Sequence, residues 1–408
     1  MKTVPESSKK VLTGSQAAEF LGVKPATLYA YVSRGLIKST SGPTARERSY
    51  RLSDLIKLRQ SVRGFKANKN EKDPSWTGPV IKSSITEIKE DGHRYRGRNA
   101  IDLVCQETPF EFVTELLWET GVEPRLWWDV APFDVPVRNL EHHVDSLDLF
   151  KDMIISVEMS DPVRRALTAA DVFDTARRLM VTMPYTIGLK PGGAIKKNSE
   201  FPMAHNLLAA LTGRESHSKE HLINCALVLC ADHELNASAL AARIAASCDA
   251  SLYSCLLSAL ATFSGTSHGS ASRRAEDIVS SSMKFNSVTA WLKDYLLKFE
   301  RVPGFGTELY GKGDPRARLL LDMAESTSGR NKKLRRLIEI VDCVRTQLGL
   351  EPNIDVGLAA MSYALSLPPG SGTTIFAVSR TAGWIAHAIE QRKYGGAIRP
   401  RARYIGKS

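Results

Sequence analysis

Apolar side chains recur every three or four residues along most of the chain after residue 78, which is the spacing of one face of an α-helix. Clear examples run from Leu319 to Ala324, from Leu334 to Leu348 and from Ile385 to Glu390. Strand-like alternation is rare beyond the short region Val80–Ile88. A chain of 408 residues is long enough for a sizeable core and for two or three domains. We therefore expect an all-α body.

The positive charge of the chain is concentrated at its N-terminal end. The formal net charge is +11, and residues 1–73 hold 15 Lys and Arg against 6 Asp and Glu, a net of +9. A small basic module joined to a nearly neutral body is typical of attraction to a polyanion such as nucleic acid. A solubilising tail would give the same charge, so charge alone leaves both interpretations open.

The basic segment also has the pattern of a folded domain. A short helix is predicted over Gly14–Gly22, and after a turn Pro25 opens a second helix, because a first helical turn does not need the missing N–H of proline. The second helix ends at Gly35, and a basic stretch and a third helix from Ser53 follow. This order predicts a small winged helix-turn-helix domain.

Within this segment, LTGSQAAEFLGVKPATLYAYVSRGLIKS and the later RSYRLSDLIKL resemble the DNA-binding domain of MerR-type regulators and phage excisionases. In such domains the second helix enters the major groove and the wing contacts phosphates. The resemblance implies duplex DNA as a partner, and a relic or a protein-docking module is the alternative. The residues that it places near the DNA are Thr27, Tyr29, Ala30, Arg34, Lys38, Arg46, Arg48 and Arg51.

Residues 65–77, FKANKNEKDPSWT, separate two parts of different character. They are mostly polar, lack periodicity and contain a proline, as linkers do. The sequence is thus expected to divide into the helix-turn-helix domain at 1–64, this linker, and a helical body at 78–408.

Three separated segments of the body carry its most specific motifs. The first is LCADHELNAS from Leu229, running on to GTSHGS; the second is PGFGTELY from Pro303, followed by DPR. The third combines NID from Asn353 with FAVSRTAGWIAH and RPR near the C-terminus. In this order and at this spacing they resemble the motifs of citrate synthases and 2-methylcitrate synthases, and GPVIKSSITEIKEDGHRYRGRNAIDLV resembles that family's N-terminal region. The resemblance implies the citrate synthase fold, a large helical domain with a small helical subdomain at about 270–375.

The resemblance implies that an acyl-CoA, acetyl-CoA foremost, condenses with a 2-oxo dicarboxylate, oxaloacetate foremost, and releases CoA, as in the tricarboxylic acid cycle. A thioester methyl proton is only weakly acidic, so a carboxylate base and a donor to the thioester oxygen must act together. The family's motifs place the base at Asp355 and the donor at His268. The CoA thioester is a co-substrate, and we expect no bound cofactor and no metal.

Oxaloacetate brings two carboxylates, which arginine binds bidentately better than lysine does. The resemblance assigns Arg316, Arg380 and Arg399 to this task. It gives His233 a hydrogen bond to the substrate and a share in catalysis. In the family the last arginine reaches across from the neighbouring subunit, so we expect a homodimer in which Arg399 completes the other active site.

One segment departs from the family pattern, which reads Gly-Phe-Gly-His-Arg where this chain has Gly-Phe-Gly-Thr-Glu from Gly304. Thr307 can donate a hydrogen bond to the substrate carbonyl but cannot supply a proton near pH 7. Glu308 adds negative charge where the family binds CoA phosphates, and Lys312 is a candidate replacement charge. Reduced activity is expected. The alternative function is a DNA-binding transcriptional regulator whose body senses a dicarboxylate or an acyl-CoA.

Other features narrow the class of protein. No apolar run is long enough to span a bilayer, and the N-terminus lacks the apolar core of a signal peptide, so we expect a cytoplasmic protein. The six cysteines form no CxxC pair and are expected to be buried free thiols. His142 and His143 have no third ligand at a metal-binding spacing, and His387 is expected to pack within an apolar helix.

Overall fold

The computed structural model describes most of the chain and is dominated by helices. The described residues are 11–21, 23–41, 48–51, 54–55, 58, 81–122, 127–136, 145–162, 164, 169–189, 200–214, 216, 219–266, 268–269, 271–299, 301–307, 309–328, 330–400, 404 and 406. The basic residue Arg46, the pair His142-His143 and Glu308 lie outside them.

The chain divides into two compact units. The first comprises Met1–Pro79, Ser280–Pro303 and Ile338–Leu350, and the second comprises Val80–Val279, Gly304–Leu337 and Glu351–Ser408. The strands are β1 Val11–Thr13, β2 Ser39–Ser41, β3 Arg48–Arg51, β4 Thr86–Lys89, β5 Gly92–Tyr95 and β6 Arg98–Asn99. The helices are α1 Gly14–Leu21, α2 Pro25–Ser33, α3 Ala100–Cys105, α4 Phe110–Trp118, α5 Ser146–Ser160, α6 Ala169–Gly188, α7 Met203–Thr212, α8 Glu220–Cys230, α9 Ala237–Ala246, α10 Leu252–Phe263, α11 Ala271–Ser282, α12 Val288–Lys298, α13 Pro315–Ser328, α14 Lys332–Leu348, α15 Ile354–Ala364 and α16 Ser371–Tyr394.

The N-terminal part of the first unit pairs two helices with a three-stranded antiparallel sheet. Helix α2 begins at Pro25 and β3 lies between β1 and β2, with Leu12 opposite Tyr50. The apolar residues that the helical pattern points inward form one core, in which Leu28 and Tyr50 are fully buried. The helices at 14–21 and 25–33 therefore lie where periodicity and proline position predict them.

In the second unit, α16 is the central helix. It packs against α4, α8, α9, α10 and α15, and nearly every residue from Ser371 to Gln391 is buried. A helix that is apolar or buried on every side needs neighbours all round, which explains why its sequence shows no polar face. Its buried polar side chains, Arg380, His387 and Glu390, then need partners inside the protein.

The short antiparallel sheet β4–β5–β6 precedes the helices of the second unit. Its strands span 86–99, so the strand-like region expected at Val80–Ile88 overlaps only the first of them, β4. Because strand side chains alternate between two faces, His93 and Tyr95 share one face of β5, and both are fully buried. The Tyr95 hydroxyl donates to the carbonyl oxygen of Val228 at 2.8 Å, which joins the sheet to α8.

The cysteines are all free, but not all are buried. Cys225, Cys230 and Cys255 lie in helical cores, as expected, whereas Cys105 and Cys248 are exposed. Both exposed thiols stand at or just after the last turn of a short helix, where one side faces solvent. The expectation that the thiols are buried is wrong for these two.

Candidate active site

Five of the residues that the sequence singled out belong to one electrostatic cluster in the second unit. The charge of Arg316 acts on the pKa values of His233 and Asp355, and that of Arg380 acts on those of His233 and His268. We call His233, His268, Arg316, Asp355 and Arg380 the site cluster. Its members come from the loop after α8, the loop after α10, and the helices α13, α15 and α16.

Arg316 is buried and held by a carboxylate from its own segment. Its guanidinium donates to the two oxygens of Asp314 at 2.9 and 2.7 Å, a bidentate pair. Asp314 also accepts the backbone N–H of Ile354 at 3.1 Å, so the same carboxylate ties α13 to the first turn of α15. Burial disfavours the charge of Arg316, but Asp314 outweighs it and raises the pKa of the guanidinium above its usual value.

Arg380, in the middle of α16, is equally buried but is not balanced by a bonded carboxylate among the described residues. Its Nε donates to the carbonyl oxygen of Cys230 at 2.8 Å, and its guanidinium lies 5.0 Å from the centre of the Phe376 ring. Burial, partly offset by Asp232, lowers its pKa. A buried cation of this kind is costly unless an anion joins it.

His233 stands at the edge of this positive region. Its Nε2 is 2.8 Å from the hydroxyl of Tyr310, and its ring lies 5.6 Å from the ring of His93. Burial, followed by the charges of Arg316 and Arg380, lowers the pKa of His233 well below the ordinary value. The ring is therefore neutral at pH 7 and can offer one N–H and one lone pair.

Asp355 lies in the first turn of α15, which Asn353 caps by accepting the N–H of Asp355 at 3.0 Å. The Ser272 hydroxyl donates to its Oδ1 at 2.6 Å. Burial raises the pKa of the carboxyl to about 6, against the opposing effect of the Ser272 hydrogen bond and of Arg316. At pH 7 it is mostly ionised and more basic than an exposed aspartate, which suits a general base.

His268 is positioned by a ring of small and aromatic groups. Its Nε2 is 2.8 Å from the Ser238 hydroxyl, which also accepts the Nε1–H of Trp384 at 3.0 Å. Gly269 lets the chain approach Phe263, because a Cβ there would meet the Phe263 ring at 2.2 Å. Burial, and then Arg380, lowers the pKa of His268 to about 4, so the ring is neutral at pH 7.

The tautomer of His268 depends on one shared proton. The Ser238 hydroxyl can donate either to Asn236 Oδ1, at 2.7 Å, or to His268 Nε2. Asn236 already accepts two backbone N–H groups as the cap of α9, so it does not need the hydroxyl. When Ser238 donates to Nε2, the proton of the neutral ring is on Nδ1, and His268 can donate to an oxygen of a substrate.

Three predicted residues lie outside the site cluster. Thr307 is partly buried in the glycine-containing loop before α13, and its Oγ1 accepts the N–H of Leu309 at 3.2 Å. Lys312 is exposed, with its Nζ 3.7 Å from Glu90. Arg399 is exposed in the segment after α16, where Ile398 bonds to Ser247. Among the residues that the structure describes, none of these three is hydrogen-bonded to a member of the site cluster.

The predicted DNA-contacting residues that the structure describes are distributed over α2 and the small sheet. Tyr29 is 53% exposed, and Arg34, Lys38, Arg48 and Arg51 are exposed as well. Thr27 and Ala30 are half-buried, and Arg48 donates to the Ser39 hydroxyl at 3.1 Å across β2 and β3.

A second polar group of residues behind His233 was not anticipated. Asp232 is fully buried; it accepts the Thr86 hydroxyl at 2.6 Å and lies 3.3 Å from Nε2 of His387. Arg243 donates to Nδ1 of His387 at 2.9 Å and pairs with Glu390. Since Arg243 can only donate, the His387 proton is on Nε2, facing Asp232. His387 is thus buried within α16, as expected, and it also belongs to an internal hydrogen-bond network that the sequence did not reveal.

No group of three or more His, Cys, Asp and Glu residues in the described part is arranged to hold a metal ion. Among the helices whose residues the structure describes, none is both long and apolar enough to cross a membrane.

Comparison with known proteins identifies the family of the helical body. The family model "Citrate synthase, C-terminal domain" matches residues 76–401. The chain belongs to the citrate synthase family. It is a condensing enzyme of the citrate synthase type, and such enzymes use CoA as a substrate with no further cofactor. The match begins at residue 76, so it says nothing about the basic N-terminal segment.

Individual relatives agree with this assignment. Citrate synthase of Haloferax volcanii is 32% identical over 361 residues, covering 80% of this chain and 94% of the relative. Citrate synthase 2 of Bacillus subtilis is 29% identical, covering 79% and 93%. A solved citrate synthase of Thermoplasma acidophilum, in a ternary complex with carboxymethyl coenzyme A and oxaloacetate, has a TM-score of 0.69 at 23% identity and covers 81% of this chain and 94% of its own. The fold is therefore that of a citrate synthase, and members of the family are typically dimeric.

Proposed function

We propose that this citrate synthase homologue condenses acetyl-CoA with oxaloacetate and releases CoA, the reaction that feeds the tricarboxylic acid cycle. The observation that carries the proposal is the site cluster, in which two buried guanidiniums lie beside a neutral histidine, a buried carboxylate and a second neutral histidine. Arg316 and Arg380 fit the two carboxylates of oxaloacetate, because guanidiniums bind carboxylates well and because a dianion would balance the buried charge of Arg380, for which the described residues provide no bonded carboxylate.

In this proposal Asp355 and His268 activate the acyl group. Asp355, with its pKa raised by burial to about 6, takes a methyl proton from acetyl-CoA. His268 donates through Nδ1 to the thioester oxygen and so stabilises the enolate that forms. Both residues must act on the same group, because neither a carboxylate nor a neutral imidazole alone stabilises this transition state sufficiently.

His233 and Thr307 act on the other substrate. His233 is positioned by Tyr310 to hydrogen-bond oxaloacetate, and Thr307 offers a hydroxyl where the family pattern has a histidine. Because a threonine hydroxyl does not give up a proton near pH 7, the carbonyl of oxaloacetate is polarised less effectively. We therefore propose a reduced rate, lower by about 10²–10³ than with a full donor.

The proposed assembly is a cytoplasmic homodimer with a helix-turn-helix domain at 1–64, a linker at 65–77 and a small helical subdomain at about 270–375. Arg399 is exposed and makes no described contact with the cluster of its own chain, which supports a role in the partner's site. Lys312, also exposed, is the candidate cation for the phosphates of CoA.

A thiol-release assay tests the proposal. The full-length protein is incubated with oxaloacetate and either acetyl-CoA or propionyl-CoA, and free CoA is followed with a thiol reagent. Release that needs both substrates and is faster with acetyl-CoA supports the assignment. Faster release with propionyl-CoA would make the enzyme a 2-methylcitrate synthase instead, and no release with either would favour a ligand-sensing role.

Duplex DNA binding by residues 1–64 is a second candidate function. It is supported by the net charge of +9 over residues 1–73 and by the exposed basic side chains Arg34, Lys38, Arg48 and Arg51 around α2 and β3. If it holds, the condensing domain would also serve as a sensor that couples a metabolite to DNA. The comparisons lend this candidate no support.

Electrophoretic retardation of genomic DNA fragments tests the second candidate. Binding through phosphates weakens steeply as salt rises, by roughly one power of salt concentration per contact. The double variant Arg48→Glu, Arg51→Glu should abolish retardation, whereas Arg318→Glu, at an exposed site in α13, should not. If the wild-type protein does not retard DNA even at low salt, residues 1–64 do not bind duplex DNA.

A further inference from the structure

Next to the site cluster lies a buried histidine to which the motifs assign no role. His93, in β5, is fully buried, and its ring meets that of His233 edge to face at 5.6 Å. Its Nε2 is 2.8 Å from the Tyr95 hydroxyl, whereas its Nδ1 has no hydrogen-bond partner among the described residues. A buried nitrogen without a partner is unusual in a folded protein and calls for an explanation.

The hydrogen bonds around Tyr95 determine the tautomer of His93. The Tyr95 hydroxyl has a single proton, which it donates to the carbonyl oxygen of Val228 at 2.8 Å. It must therefore accept from His93, so the proton of the neutral ring is on Nε2 and Nδ1 holds a free lone pair. Tyr95 also accepts the N–H of Asp232 at 3.3 Å, so its hydroxyl has no capacity to serve Nδ1.

The charged groups near His93 come from three directions. Arg316 in α13 and Arg380 in α16 disfavour a proton on the ring, and Asp232, in the loop after α8, favours one. His233 and Tyr95 complete the titratable surroundings. Burial, followed by the two arginines, holds the pKa of His93 well below its usual value, so the ring is neutral in the free protein.

A bound dicarboxylate would reverse this balance. Its two negative charges would neutralise the two guanidiniums that keep the proton away from His93, and Nδ1 would have an oxygen acceptor within the same positive region. We propose that His93 is a substrate-binding residue, which takes one proton from solvent onto Nδ1 when a dicarboxylate binds and donates it as a hydrogen bond to a ligand oxygen. This rests on the proposed function, since the ligand is the dicarboxylate of that reaction.

This role would partly compensate for the change at Thr307. The family pattern has a histidine there, and Thr307 cannot carry a proton in the neutral range. A protonated His93 would restore a positively charged donor to the dicarboxylate side of the site, from β5 instead of the loop that holds Thr307. It would bind and orient the ligand, while Asp355 and His268 still act on the acyl group.

Isothermal titration calorimetry of the full-length protein with fresh oxaloacetate tests the inference. Titrations at pH 7.5 in phosphate and in Tris, which differ in ionisation enthalpy, give the number of protons taken up on binding. We expect about one proton per site for the wild-type protein. His93→Leu should bind about tenfold more weakly or worse and take up no proton. His93→Asn places an amide donor near the position of Nδ1, so it should bind within about tenfold of wild type, also without proton uptake.

Two further variants separate the inference from its alternatives. His221→Asn, at an exposed histidine in α8, should leave affinity and proton uptake unchanged. If proton uptake persists in both His93 variants and disappears only in His233→Asn, the proton goes to His233 and the inference is wrong. Tight wild-type binding without proton uptake would also overturn it. If the wild-type protein binds no oxaloacetate at all, the proposed function itself is wrong. If His93→Leu does not fold, the proton uptake of His93→Asn still tests the role of His93.

Discussion

The two halves of the proposed active site, which comprises the site cluster and Thr307, differ in how completely they retain the groups of the family pattern. On the proposed acyl side, Asp355 and His268 are both present, each held by a serine hydroxyl, Ser272 and Ser238. On the dicarboxylate side, Arg316, Arg380 and His233 are present, but the expected histidine is Thr307. The difference separates two abilities. Removal of a proton from the acyl group should be intact, whereas polarisation of the ketone carbonyl should be the slow part of the reaction.

The largest expected effect lies on the acyl side. Asp355→Asn removes the proposed base but keeps a similar shape, so turnover in the thiol-release assay should fall by about 10²–10⁴. Oxaloacetate affinity should change little, because Asp355 acts on the other substrate. Asp322→Asn, an exposed site in α13, is the matched control and should keep full turnover. Retention of more than a tenth of wild-type turnover in Asp355→Asn would assign the base elsewhere.

The next effect tests the dicarboxylate side through its two arginines. Arg380→Met removes a buried cation whose pKa is lowered by burial, so the free protein should melt no lower than wild type. Oxaloacetate affinity should fall by about a hundredfold or more, since a desolvated charge partner is lost. Calorimetry and thermal melts measure the two quantities.

Arg316→Met should behave in the opposite way in the melt. It leaves Asp314 buried without its bidentate partner, which typically costs about 3–5 kcal/mol of stability. Affinity for oxaloacetate falls in both variants, and the difference lies in the unliganded melting temperature. Equal melting temperatures for the two variants would mean that the Asp314 pair does not distinguish Arg316 from Arg380 in stability.

Sequence and structure contributed different parts of this picture. The order of the motifs located all five members of the site cluster, because each lies inside a recognisable run of residues. The supporting network could not be found in that way. Arg243 lies in ALAARIAAS and looks like an ordinary charged helix position, while its partners His387 and Glu390 are more than 140 residues later. Nothing in a one-dimensional pattern distinguishes a buried arginine with a remote partner from an exposed one.

His93 was missed for a related reason. In GHRYRG it alternates with arginines, and only the alternation of β5 places it on the buried face with Tyr95. Asp314 lies in the DPR motif, but its link to the first turn of α15 depends on the backbone N–H of Ile354, 40 residues away. Predicting a strand at 92–95 would have indicated that His93 is buried. The link between Asp314 and α15 can be found only from the tertiary structure.

A smaller effect, this time a gain in condensation rate, tests the replacement of the family's histidine by Thr307. Thr307→His restores the group of the family pattern, and condensation should rise by about tenfold or more. The gain should vanish when Asp355→Asn is added, because no base would remain to form the nucleophile. Wild-type turnover already within the ordinary enzyme range of about 1–10³ per second would show that the hydroxyl suffices. The two halves of the site would then be equally competent.

The smallest effect concerns the pH dependence of the acyl side. The proposed base must be ionised, and burial raises the pKa of Asp355 to about 6, so kcat/KM should fall as the pH drops through about 6. The Ser272 hydroxyl donates to this carboxylate and favours its ionised form, so Ser272→Ala should move the acid limb to higher pH by about one unit. Turnover at pH 7 would then change only a few-fold, while at pH 8.5 it should match wild type. His268, whose pKa is lowered to about 4, stays neutral throughout this window and does not contribute to the shift. An acid limb that does not move in Ser272→Ala would mean that a group other than Asp355 titrates there. It would not be His233 or His93, whose pKa values burial holds well below the ordinary value.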